Sequence, residues 1–158
     1  ERTKPDVIGM GSYNSDSHNV QRFVNARGFA ENEGDMQVPV QPYQIPLRVM
    51  LPKRAEAENL LVPVCFSATH VAYSSLRMEP QYMIIGHAAG VAASLAAQKG
   101  AAVQDVPVAE LQKILLNEGG VFEQGLEVQA KALAAIRARF TPPRAAPSKA
   151  PWARPAPK

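Results

Sequence analysis

Only one cysteine, Cys65, stands in the 158 residues, so no disulfide can close within the chain. No G-x-G-x-x-G run follows an apolar stretch either: Gly9-Met10-Gly11 is followed by the polar Ser12-Tyr13-Asn14, with no third glycine. A glycine-turn grip on a dinucleotide is therefore not encoded in these residues. An excess of one charge is also missing from most of the length. The formal net charge is +3, but residues 141 to 158 hold Arg144, Lys149, Arg154 and Lys158 and no acid, leaving 13 basic against 14 acidic residues elsewhere. That balance offers no basic face for nucleic acid. The acidic turn Glu31 to Asp35 lacks the spacing of a calcium loop, so no metal site is expected. The longest apolar segment is alanine-rich and interrupted by His87 and Gln98, which argues against a membrane span. No signal peptide is visible in a chain that opens at Glu1, and the compartment stays open.

What is present is the composition of a globular protein, 46% hydrophobic and 20% charged, organised around residues 58 to 99. Leu60 to Val64 has the length and composition of a strand, a polar loop follows, and Pro80 begins a segment too long to be anything but a helix. Proline in the first turn loses no hydrogen bond, and Glu79 places negative charge beside the positive end of the dipole. Lys99-Gly100 reads as the stop. The expected fold class is thus α/β, with a strand–loop–helix core. Cys65 is expected at the strand end as a small buried residue. Inside the helix Gly86, Gly90 and Ser94 recur every four residues on one face, beside Ala89, Ala93 and Ala97. Glycine costs about 1 kcal/mol against alanine within a helix, so this face has a geometric reason: tight packing on a sheet, or a flat group approaching closely.

Upstream, Val7-Ile8 predicts a strand and Tyr13 to Gln21 a polar loop, where Tyr13, Asp16 and His18 can converge on a substrate; Asp16 and Ser17 equally suit turn capping. Val20 to Phe29 alternates weakly, as a strand would. Pro39, Pro42, Pro46 and Pro52 exclude a helix and predict an extended segment with strand pieces at Tyr43 to Ile45 and Leu47 to Leu51. Arg48 within it is a candidate for anion binding. His70 suits proton transfer, because imidazole titrates near neutral pH and its loop lies between the strand and the helix; a backbone-bonded histidine is the other reading. Downstream, Asp105 and Pro107 open a helix with Val108, Leu111, Ile114 and Leu115 at helical spacing, ended by Gly119-Gly120. A second amphipathic helix is expected over 124 to 140. From Thr141 the proline, alanine and basic composition predicts a disordered tail, dividing the chain at 1–140 and 141–158.

Asn59 to Cys65, Ser67 to Tyr73, Arg77 to Pro80 and Gly86 to Gly90 resemble, in order and spacing, phrases of the FAD-dependent oxidoreductases. Asp16-Ser17-His18, Asn32 to Asp35 and Pro42 to Pro46 extend the likeness, so that it runs from about Tyr13 to Gln98. Some members of that group carry the label xanthan lyase, and a more distant similarity is with flavoproteins of the fumarate reductase type. The resemblance implies part of a Rossmann-like FAD/NAD(P)-binding domain, in which this chain is the C-terminal portion of a longer flavoprotein. It implies FAD as cofactor, held at Arg77, Met78, Glu79, Pro80, Gly86 and Gly90, with His70, Arg77 and His18 as catalytic candidates. The substrate it suggests is a small polar, carbohydrate-like compound. Two departures stand out: Cys65-Phe66 occupy the place of an acidic residue that holds the ribityl chain, and His87 stands where related sequences have glutamine. Two rival readings remain: a flavin-free polysaccharide lyase using His70, Tyr73 and Arg77, and an inactive remnant.

Overall fold

In the computed structural model, residues 3–123 are described, together with Ala134. The helix expected over 124 to 140 and the tail from Thr141 lie outside the described residues, apart from Ala134 itself.

The architecture is mixed α/β, as the sequence implies, with six strands among the described residues, paired antiparallel in twos. Strand β1 (Val7–Gly11) pairs with β6 (Tyr43–Pro46), matching Gly9 with Ile45 and Gly11 with Tyr43. Its apolar residues are buried from both sides, Val7 and Ile8 at 7% and 2% exposure. β2 (Ser15–Ser17) pairs with β5 (Met36–Val38), and the same two chain segments continue as β3 (Gln21–Val24) and β4 (Ala30–Glu33). The four strands thus form one hairpin arm. At its tip Asn25 Oδ1 accepts from the N–H groups of Arg27 and Phe29, and Gly28 takes φ +82°. The base of the arm is buried at Ser15 and Ser17, whereas β3 and β4 are exposed throughout.

Three α-helices follow within residues 3–123. α1 (His70–Leu76) begins at Thr69, whose Oγ1 accepts from Ala72 N–H. α2 (Glu79–Lys99) has proline in its first turn and ends on Gly100 at φ 59°, φ/ψ of the left-handed region. α3 (Val108–Asn117) buries Leu111 and Leu115. α2 lies against β1 so closely that a Cβ on Gly9 would run into the Cγ2 methyl of Ile84. The core closes around Ile45, Met50, Ile85, Leu111 and Leu115, all under 2% exposed, while Gln112 of α3 donates to the carbonyls of Pro5 and Val7.

The structure corrects several expectations. Leu60 to Val64 is irregular chain, not a strand. Pro63 withholds a donor, Leu60 and Val64 are about half exposed, and in place of a ladder the backbone makes isolated bonds, Val62 N–H to Met50 O and Ser67 N–H to Val49 O. Cys65, expected to be buried, is exposed. Leu47–Met50 is a 3-10 turn rather than a strand piece, with Leu47 and Met50 pointing into the core. The strand expected over Val20 to Phe29 is shorter, because Asn25 to Gly28 turn. Most of the acidic turn at Glu31 to Asp35 is strand β4, leaving Gly34 (φ +100°) and Asp35 as its end. Among the described residues no helix is long and apolar enough to cross a membrane.

Candidate active site

The residues singled out as catalytic come together. A small cavity of about 110 Å³ is lined by Asp16, Ser17, His18, His70, Tyr73, Ser74 and Arg77. Two elements build it. β2 alternates in burial, so that Ser15 and Ser17 are buried and Asp16, partly exposed, stands at the rim of the cavity. α1 packs on that strand through Ser74, whose Oγ lies 2.6 Å from Ser15 Oγ; the Val71 carbonyl is within reach of both, so one hydroxyl donates to it while the other donates to its partner serine or shares that carbonyl. Small hydroxyl residues on both sides let strand and helix approach and still satisfy their polar atoms.

His70 is the first residue of α1, solvent-accessible, with Nε2 2.7 Å from Ser17 Oγ. His18 follows β2 directly, and its side chain has no hydrogen-bond partner among the described residues. Arg77 ends α1; its Nη2 donates to the Asp16 carbonyl at 2.9 Å and lies 3.5 Å from Asp16 Oδ2. One corner of the guanidinium is thereby fixed and the cation is balanced in part, with the side chain one-third exposed. Tyr13 donates to Asp16 Oδ2 at 3.1 Å, and that bond to a carboxylate, aided by its charge, raises the phenol's pKa against the opposing pull of Arg77.

Tyr73 reaches the cavity with its ring, but its hydroxyl is engaged elsewhere, 3.1 Å from Val64 O and 3.2 Å from Tyr82 Oη. The Tyr82 pKa is pushed up to about 12, chiefly by the bond to Tyr73 and then by desolvation. Phe66 packs against both rings, at centroid distances of 5.0 and 6.1 Å. This aromatic knot anchors the irregular 60–66 segment to the helices. Arg48, the other anion-binding candidate, is paired with Asp6 at 2.5 Å at the surface.

The expected cofactor residues lie in sequence directly after Arg77. Met78 caps α2 without a side-chain hydrogen bond, and Glu79 and Pro80 are exposed. Pro80 has no N–H, and Tyr82 N–H is already bonded to Met78 O, so the donors this start presents are those of Glu79 and Gln81. Gly86 and Gly90 lie further along, where an added Cβ would meet nothing within 4 Å. They are not what brings α2 onto the sheet; among the described residues that role falls to Ile85, Ala88, Ala92, Leu95 and Ala96. His87 stands apart from the His70 cavity, its Nε2 2.6 Å from Glu118 Oε2 beside a second cavity of about 260 Å³ bounded by Gly9, Gly119 and Gly120.

Sequence reasoning missed the pairings of Ser17 with His70 and of Ser15 with Ser74. The alternation in Ser15-Asp16-Ser17 and the Ser74-Ser75 pair in an otherwise apolar helix were the available signals. Among the described residues no group of three or more histidine, cysteine or carboxylate side chains is placed to hold a metal.

Residues 1–115 match the family described as FAD dependent oxidoreductase. No curated protein and no solved structure matches the chain.

Proposed function

The chain belongs to the FAD dependent oxidoreductase family, and on that premise we propose that it supplies the isoalloxazine side of an FAD site and part of the adjoining substrate pocket. The observation carrying this reading is the continuity of Arg77 with both features: its guanidinium lines the cavity with His18 and His70, and its main chain leads into the start of α2. The residues present fit the cofactor. Glu79 and Pro80 at the helix start are exposed and Met78 supplies no side-chain cap, and a backbone donor at the positive end of a dipole suits the anionic pyrimidine edge of a reduced flavin. The bare stripe at Gly86 and Gly90 admits a flat group or another backbone.

Bound flavin supplies the acceptance or donation of a hydride; the chain supplies binding, orientation and charge. In this reading Met78 to Gln81 hold the ring edge, and Arg77 contributes a permanent cation, steadied by the Asp16 carbonyl, toward negative charge in the cavity. His70, with His18 beside it, exchanges the proton that leaves a substrate hydroxyl when its C–H bond is oxidised. A small polar hydroxylated compound suits a cavity lined by two histidines, an arginine, a carboxylate and hydroxyls. The glycine-rich grip on the ADP half is not among these residues, and we assign it to sequence outside the chain.

The test is the visible absorption of the full-length protein after gentle purification, followed by turnover of an Arg77→Gln variant. We expect a bound-flavin band in both and a loss of about a hundredfold in kcat in the variant. A colourless, flavin-free protein that is nevertheless active overturns the assignment, and unchanged kcat in Arg77→Gln removes Arg77 from it.

A further inference from the structure

Ser17 is 6% exposed and has contacts of two kinds. Its Oγ lies 3.2 Å from the His18 carbonyl and 2.7 Å from His70 Nε2. A serine hydroxyl has one proton to give, and a carbonyl can only accept. Both contacts are hydrogen bonds at once in a single arrangement: Ser17 donates to His18 O and accepts the Nε2 proton of His70. The opposite arrangement, with Ser17 donating to Nε2, leaves the His18 carbonyl without this donor and fails whenever Nε2 carries a proton.

From this geometry we propose that Ser17 is a positioning residue that holds His70 in its Nε2–H form in both protonation states, so that the ring takes up and releases its proton at Nδ1 alone. The Ser17 bond is the one hydrogen bond made by the His70 side chain among the described residues, which leaves Nδ1 without a protein partner. A proton arriving at the Nδ1 lone pair gives the imidazolium without disturbing Nε2–H···Oγ, and its departure restores the starting tautomer. The ring therefore never has to flip or exchange partners between the two halves of a turnover. Rigidity of this kind is what a proton-transferring group gains from its supporting shell. That His70 transfers a proton during the reaction rests on the function proposed above; its tautomer does not.

The full chain labelled with nitrogen-15 in its three histidines, with His70→Gln to identify the signals, gives the answer by long-range nitrogen–proton correlation across the histidine titration. We expect neutral His70 to show a protonated Nε2 and an unprotonated Nδ1 with no second tautomer, and acid to move the Nδ1 signal as the site of protonation. Ser17→Ala should yield averaged tautomers, and Ser17→Thr should restore the single form. An Nδ1–H pattern, averaged signals in the native chain, or an unchanged pattern in a folded Ser17→Ala variant overturns the proposal. Should Ser17→Ala not fold, the native spectrum alone decides. Because no flavin enters these spectra, a single tautomer in a protein that never binds flavin would sink the proposed function and leave this inference standing, and averaged signals in a yellow protein would do the reverse.

Discussion

The two faces of α2 are made of similarly small residues and meet different fates. One face, Ile85, Ala88, Ala92, Leu95 and Ala96, is buried against β1 and its neighbours. The other runs through Met83, 73% exposed, to Gly90 and Ser94, exposed as well, and is met there by Glu118 at His87, while a Cβ on Gly86 or Gly90 would touch nothing. Alanine alone does not decide between them; the larger apolar residues Ile85 and Leu95 mark the face that the core claims. Glycine on the bare face costs helix stability and gains no packing among the described residues; in the reading proposed above, a flat group approaching this face supplies the reason.

The contrast predicts unequal responses to small changes in volume. The largest is expected from Ile85→Ala, which empties a site with no solvent exposure and should cost about 2–5 kcal/mol in denaturant unfolding. A cost under about 1 kcal/mol would show that this face is not the core. Gly9→Ala tests the same contact from the strand side: the new methyl meets the Ile84 side chain, and overpacking should cost about 1–3 kcal/mol by thermal unfolding. Smallest, and opposite in sign, is Gly90→Ala. An added methyl there meets nothing, so the chain should gain up to about 1 kcal/mol from helix propensity. The same substitution should lower flavin retention in the full-length protein; stabilisation with retention unchanged would reduce the bare face to ordinary surface.

Much of this frame was legible in the residues. The start and stop of α2 follow from Glu79-Pro80 and Lys99-Gly100, and α3 from the spacing of Val108, Leu111 and Leu115, because both depend on local chemistry and a regular apolar period. Leu60 to Val64 misled because an apolar run does not show whether a neighbouring strand exists to pair with it. Here Leu61 packs on the core and two isolated backbone bonds replace a ladder. Leu47 to Leu51 misled in the same way, since a 3-10 turn buries its first and last residues as well as a strand buries alternate ones. The convergence of His18, His70 and Arg77 came from resemblance, and the Ser17 contact that orients His70 was invisible, since it joins residues 53 positions apart through a hydroxyl with no periodic signature.

β2 is both a rung of the hairpin arm and a wall of the cavity. Its ladder with β5 spans three residue pairs, Ser15 with Val38, Asp16 with Gln37 and Ser17 with Met36. Sliding such a ladder by a single step inverts the strand, sending Ser15 and Ser17 outward and displacing the Asp16 carboxylate from beside Arg77. Without any change of sequence, His70 would lose its hydroxyl and Arg77 its carbonyl anchor. The arm's outer strands, open to solvent along their whole length, thus set the thread on which the chemistry beneath them is indexed.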